Sequence, residues 1–402
     1  MRKYTYEAKD NSTNKVVKSI VQAESEHAAA KLLIEQGYMP LDIKLEDESG
    51  SFFKRLTNRI STKDKIIFLR QLSTLIGAGL PLAQSLRTVT EQTENKKLQE
   101  IVQDILADVE GGKPLSKAFE KYPEVFDTIV IALVTAGEAS GTLDEALRRV
   151  ATQKEKDAAM LGKIKGAMIY PAIVLAVILA VMLFMLLTVV PQVERLYGDM
   201  NQTLPMLTAI MIGTANFLKS FWLPVLIALG IGIYFLRQYL KTDAGIRNAD
   251  LLKLNIPMFS PMFRKLYMAR FTRTGQTLLA TGVAMLDMLR ISAQSVSNVV
   301  VGEEINRAAE KVKGGKALSV ALQKEEYILT MVPQMIKIGE QSGKIDEMLG
   351  KTAQVYEDEL DEAIKALTTT IEPLLMVVMA VFAGGMIGAI LWPIYGLVGN
   401  IR

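Results

Sequence analysis

Residues 168–190, MIYPAIVLAVILAVMLFMLLTVV, hold no charged side chain over 23 positions. A helix rises about 1.5 Å per residue, so this run is long enough to cross a hydrocarbon layer roughly 30 Å thick. Lipid offers no partner for backbone N–H and C=O groups, so such a run must be a helix that satisfies its own. The stretch 373–398, PLLMVVMAVFAGGMIGAILWPIYGLV, is uncharged over 26 positions, and Gly384, Gly385 and Gly388 would let another helix approach closely. Between them FWLPVLIALGIGIYFL, 221–236, is shorter, but Trp222 and Tyr234 near its ends suit two headgroup layers. Lys219 separates it from LPMLTAIMIGTANFL, 204–218, which reads as an interfacial helix. Three spans are predicted.

The rest of the chain cannot lie in lipid. Of 402 residues 22% are charged, although half are apolar and mean hydropathy is +0.23, so soluble and membrane parts should alternate. The balance of 46 basic and 43 acidic residues gives no reason to expect a nucleic-acid partner. The absence of Cys excludes disulfides and thiolate chemistry, and the single His27 leaves little for zinc or a catalytic triad. His27 lies in a polar ESEHAAAKLL segment and reads as an exposed bystander rather than a base. The polar N-terminus, MRKYTYEAKD, has no signal-peptide core and should begin in the cytoplasm. Lys163 and Lys165 precede the first span, Arg237, Lys241 and Arg247 follow the second, and Lys365 precedes the third. These flanks are therefore cytoplasmic, which puts the loop 191–220 and the C-terminus outside.

The chain also repeats itself. GEASGTLDEAL starts at Gly137 and GEQSGKIDEML at Gly339, with seven of eleven positions identical. Upstream, FLRQLSTLIGAGLPLAQSL at Phe68 matches FTRTGQTLLATGVAMLDML at Phe271, and GGKPLSKA at Gly111 matches GGKALSVA at Gly314, all offset by 203. The opening phrase and the Pro171/Pro373 pair are offset by 202, so each copy is a unit that ends in its own span. Apolar stripes such as Ile66, Ile67, Leu69, Leu72, Leu75 and Ile76 have helical spacing and break at Gly and Pro, predicting about six helices per unit. Gly137, Ser140, Gly141, Gly339, Ser342 and Gly343 are expected to be structural turns. Gly141 would end one helix in the left-handed conformation, and Thr142 with Glu145 would form a capping box for the next; Lys344 leaves half that box in the second copy. The helices Leu143–Lys165 and Ile345–Ala366 should run straight into spans one and three.

Neither GGK is a phosphate loop, since the four-residue glycine spacing is missing and Pro114 or Ala317 follows Lys where a hydroxyl should hold magnesium. No catalytic, cofactor or metal residue is expected. Glu138 and Glu340 are candidate partner contacts, or else bond to backbone amides at the turn. The run YEDELDEAIK packs Glu357, Asp358, Glu359, Asp361 and Glu362 together, whereas the first copy has QKEKDAAM there. Glu357 and Glu359 are candidate partner contacts, with a solvated helix face or a divalent-cation site as the other readings. Glu372, at the water boundary of span three, is either solvated or meets a charged group of a partner. The Met-rich runs 160–185 and 258–268 read as adaptable packing.

Taken together, the duplicated G-E-x-S-G turn, Tyr170-Pro171 at the first repeat's span and Glu372-Pro373 at the second's resemble the type II secretion F and type IV pilus inner-membrane platform family, over nearly the whole chain. The resemblance implies an all-α membrane protein with two repeated six-helix cytoplasmic bundles, three transmembrane helices and a small α+β N-terminal module. The expected division is module 1–48, linker 49–62, first bundle 63–166, span 167–190, external loop 191–220, span 221–237, second bundle 238–370, span 371–397 and external tail 398–402. It also implies a non-enzymatic scaffold in the bacterial inner membrane, without cofactor, whose partners are a cytoplasmic assembly ATPase, pilin or pseudopilin subunits, other inner-membrane assembly proteins and further copies of itself. A solute transporter, which also uses repeats, and a membrane-anchored signalling scaffold are the rival classes.

Overall fold

The computed structural model describes residues 2–10, 16–23, 30, 32, 34, 38–45, 59–199 and 206–399. Strands β1 (Arg2–Asp10), β2 (Val16–Ala23) and β3 (Tyr38–Leu45) form an antiparallel sheet in the order β2-β1-β3. Thr5 faces Ile20 on one side and Lys44 on the other, and the β1–β3 register shifts between Glu7 and Ala8. The described residues give this sheet and, at 30, 32 and 34, helical backbone; the rest of the segment between β2 and β3 lies outside them, so the expected α+β module is not established as a whole. His27, most of the linker 49–62 and the last residues of the tail lie outside them too.

Six helices follow: α1 (Thr62–Gly77), α2 (Leu82–Gln92), α3 (Lys96–Glu110), α4 (Leu115–Glu120), α5 (Thr128–Ser140) and α6 (Leu143–Phe184). The α1 face that packs inward carries Phe68, Leu69 and Leu72, all essentially inaccessible. Ile67, expected in that stripe, is exposed, because at 100° per residue it points away from a face centred on these three. Phe119 and Phe126 stack at 3.9 Å between ring centroids, and Phe68 tilts against Phe126 at 5.8 Å, so this core is built around three aromatic rings.

Beyond α6 a π-helical turn, Met185–Val189, leads into α7 (Val190–Asp199), and α8 spans Met206–Tyr239. Most of 191–220, read from sequence as a loop with an interfacial helix, is therefore helical. The two apolar runs separated by Lys219 meet at a kink within α8, at the non-helical dihedrals of Phe221, three residues before Pro224. Leu186, Val190, Ile212 and Ala215 bury one another where these segments meet.

The second copy holds α9 (Asp243–Asn255), α10 (Ser260–Ala280), α11 (Met285–Ser295), α12 (Val299–Lys313), α13 (Leu318–Leu322), α14 (Met331–Ser342) and α15 (Ile345–Gly399). Helices α10 to α15 repeat α1 to α6, and α9 is additional. Helix α10 is the most enclosed, with Leu266 through Thr272 buried, and packs along α15 as α1 packs along α6. The long helices α6 and α15 also pack on each other and join the two copies. Three helices are long and apolar enough to cross a membrane, within Leu143–Gln192, Ala209–Tyr239 and Ile345–Gly388.

Candidate functional site

The repeated turn is built the same way twice. Gly141 and Gly343 have φ +73° and +70°, the left-handed region that L side chains rarely adopt, and each ends its helix. Thr142 N–H donates to Gly137 O and Lys344 N–H to Gly339 O, both at 2.9 Å, a bond across six residues that occupies a carbonyl left free at the helix end. Ser140 and Ser342 donate their hydroxyls back one turn, to Ala136 O at 2.8 Å and Ile338 O at 2.9 Å. The first glycine has a different reason. A Cβ on Gly137 would stand 2.5 Å from Ala146 Cβ, and one on Gly339 would stand 2.7 Å from Ile345 Cα. The reversing chain passes too close for any side chain there.

The expected capping box does not form. Thr142 makes no capping bond; its hydroxyl lies 2.7 Å from that of Ser140, and Glu145 pairs with Arg149 at 2.6 Å. In the second copy Lys344 pairs with Glu347 at 2.9 Å, which pushes the ammonium's pKa up.

Glu138 and Glu340 reach away from their own turns to the GGKPLS and GGKALS segments. The Glu138 carboxylate accepts from Leu115 N–H at 2.5 Å, Ser116 N–H at 3.3 Å and the Ser116 hydroxyl at 2.5 Å. Glu340 accepts from Ser319 N–H at 3.2 Å and the Ser319 hydroxyl at 2.5 Å. Each carboxylate thereby occupies amides that open a short helix, where helix geometry leaves N–H groups without partners. A phosphate on the first GGK would need those same amides, and Lys113 is itself paired to Asp108 at 2.7 Å.

The acidic run is engaged across the repeat. Glu357 accepts from Arg273 at 2.7 Å and from Lys156 of the first copy at 3.1 Å, Asp361 meets Lys163 at 2.5 Å, and Glu359 meets Lys265 at 3.0 Å. No group of carboxylates suited to a metal ion occurs among the described residues. Glu155 and Glu357 occupy equivalent positions and pair with the equivalent arginines, Arg70 and Arg273. Beyond Glu357, Asp361 faces Lys163 of α6 and Glu359 faces Lys265 of α10. Glu372 is exposed on α15, next to Pro373, with no ion-pair partner among the described residues.

Sequence reasoning missed Ser116 and Ser319 as partners of the two glutamates. The signal was present, since both phrases recur with nearly the same separation, 22 residues in one copy and 21 in the other. It also missed Arg148, Arg149 and Gln153 on α6.

A family description, type II secretion system (T2SS), protein F, matches residues 68–191 and again 271–393, so the two matches begin 203 residues apart, the spacing of the repeat. The chain belongs to the type II secretion system protein F family. The family's N-terminal domain description matches residues 1–44. Members similar to this chain include a type IV pilus assembly protein PilC of Thermus thermophilus, 37% identical over 99% of this chain and 98% of that protein. A type II secretion system protein F of Xanthomonas campestris is 34% identical over 99% of both. The type IV pilus assembly protein TapC of Aeromonas hydrophila is 36% identical over 87% of this chain and 85% of that protein. Helical bundles, a duplicated family domain and three membrane-length helices mark this chain as a membrane protein of that family.

Proposed function

We propose that this protein is the inner-membrane platform of a pilus or type II secretion assembly machine, a scaffold rather than an enzyme. In this reading it couples a cytoplasmic assembly ATPase to the insertion of pilin or pseudopilin subunits into a filament. The observation that carries the proposal is the continuity of α6 and α15: each is one helix from a charged bundle into an uncharged run of membrane length. A rigid element shared by two compartments can carry a displacement made in one into the other. Pairs such as Lys156–Glu357 and Lys163–Asp361 tie the two levers together, so that they respond as a unit. The N-terminus and both bundles lie in the cytoplasm, and further copies and other inner-membrane assembly proteins complete the machine.

The purified full chain, added to its cognate ATPase, is expected to change ATP turnover while hydrolysing none itself. Intrinsic hydrolysis that survives removal of contaminants, or no physical association with the ATPase, would refute this reading. Topology is tested separately, because the chain has no native cysteine. Cysteine at Asn201 should react with an impermeant thiol reagent in intact spheroplasts, whereas cysteine at Lys113 or Lys316 should react only after lysis.

A further inference from the structure

A cavity of about 390 Å³ opens where α6 of the first copy meets α10 of the second. Of the nine residues lining it, five are cationic, Arg70, Arg148, Arg149, Lys156 and Arg273, and none is acidic. Three carboxylates outside the lining offset part of this charge: Glu155 on Arg70, Glu145 on Arg149, and Glu357 shared by Lys156 and Arg273. Arg148, exposed at the rim, has no ion-pair partner among the described residues. The cluster therefore keeps a net positive charge in a concave site.

Hydrogen bonding is incomplete in the same place. Arg273, on the cavity wall, has a buried Nη2 with no hydrogen-bond partner among the described residues. The remaining Arg273 donors are in use, Nε on Glu357 and Nη1 on Gln276, each at 2.7 Å. Buried donors are normally matched, and this one lines a cavity that contributes no acidic side chain. The repeat does not require these residues. The second-copy positions equivalent to Arg148, Gln153 and Lys156 are Gly350, Val355 and Asp358, so these three residues are not repeated.

We propose that this cavity binds a soluble phosphoryl anion, either orthophosphate or the phosphate groups of a nucleotide. Lipid headgroups share that chemistry but lie too far away. Lys156 and Arg148 precede Met168, the first residue of the uncharged run, by 12 and 20 residues, about 18 and 30 Å along a helix. The headgroup layer is only roughly 5–8 Å deep on each side. Because Arg148 and Arg149 come from one copy and Arg273 from the other, the anion binds the joined copies and stabilises their junction. The site is independent of any ATPase contact.

The test uses the full chain in detergent, with thermal melting followed across an orthophosphate series at ionic strength held constant with chloride. The melting point should rise along a saturating curve. Arg148→Gln should move the half-saturation concentration about tenfold upward, the loss of one charge-assisted contact. It should melt like the parent in chloride alone, since the side chain is exposed and unpaired. Lys117→Gln, on a distant surface, should leave the curve unchanged. A second series with magnesium-free ATP separates the sources: saturation at a much lower concentration than orthophosphate identifies a nucleotide, and comparable saturation identifies free phosphate. The proposal is overturned by the lack of a saturable shift with either anion, by an Arg148→Gln curve matching the parent's, or by stabilisation seen only with phosphatidylglycerol.

Discussion

The two copies keep the same turn and differ in nearly everything that surrounds it. The left-handed glycines, the close-approach glycines and the glutamates that seat the short helices α4 and α13 recur in both. The cores do not: three phenylalanines pack together in the first, whereas the second has Leu322 in place of Phe119 and buries Phe271 with the tyrosines Tyr267, Tyr327 and Tyr356. Charge diverges further. Asp108 in the first copy corresponds to Lys311 in the second, and each has found partners of opposite sign, Lys113 and Lys121 for one and Glu325 for the other. The difference teaches that the backbone reversal is what duplication must preserve, while cores and surfaces are free to specialise. That freedom was used to make the copies complementary to each other, with lysines on α6 and carboxylates on α15.

The largest expected effect breaks the equivalence of the two arginine–glutamate pairs. Arg273 and Glu357 are 12% and 15% exposed, against 40% and 41% for Arg70 and Glu155. Glu357→Ala leaves Arg273 poorly solvated and Lys156 unpaired, and should cost about 3 kcal/mol in a thermal melt of the full chain. Glu155→Ala should cost under about 1 kcal/mol. Equal costs would mean that the junction between the copies does not bury this charge.

Next come the close-approach glycines. Gly137→Ala and Gly339→Ala each place a Cβ against a neighbour that cannot move away, and should cost about 1–3 kcal/mol. Tolerance at either position would show that α5 and α6, or α14 and α15, can separate. Glu138→Ala should cost about 1–2 kcal/mol and Glu340→Ala somewhat less, because Glu138 accepts three hydrogen bonds and Glu340 two. If both variants keep the parent melting point while filament assembly fails in cells, these carboxylates act on a partner instead.

The smallest effect is a slope against pH. Lys113 and Lys121 hold Asp108 below its ordinary value of 3.8. Burial tends to raise Glu325, but Lys311 and Arg307 outweigh it and hold the carboxyl below 4.5. A carboxylate with a depressed folded pKa stabilises the fold above its unfolded pKa, and that contribution is lost as pH falls through the folded value. Burial acts the other way on Glu304, whose pKa is raised although it accepts from Glu326 and Tyr327 N–H, so its ionisation opposes folding as pH rises. Asp108→Asn and Glu325→Gln should each flatten the loss of stability below about pH 4.5, and Glu304→Gln should not.

Much of this fold was legible in the sequence because its signals are local. Glycine followed by a new apolar stripe marks a helix end, and an uncharged run marks a span, without knowledge of anything distant. The pairing of Glu138 with Ser116 left only an indirect trace, the recurrence of both phrases at nearly the same separation, because the contact itself depends on how α5 crosses α4. The pairings of Glu357 with Lys156 and Asp361 with Lys163, about 200 residues apart, were not legible, where an acidic run reads equally well as solvated surface. The Thr142–Glu145 box misled because the local motif was present and tertiary geometry gave both side chains nearer partners. The break expected at Lys219 falls two residues later, at Phe221, where the two apolar runs meet in a kink.

The extra helix α9 enters the second bundle through a tightly closed junction. The Tyr239 carbonyl accepts from both the backbone N–H and the hydroxyl of Thr242, that hydroxyl accepts from Gly245 N–H, and a Cβ on Gly245 would stand 1.9 Å from Tyr239 O. At the other end of α9, Asp250 accepts from Val299 N–H at 2.9 Å and fixes the start of α12. The second bundle is thus moored to two apolar helices, α8 and α15, and the first to α6 alone. The first bundle gains its second attachment where α6 lies against α15, so a tripod of apolar helices carries both bundles and neither swings free of the other.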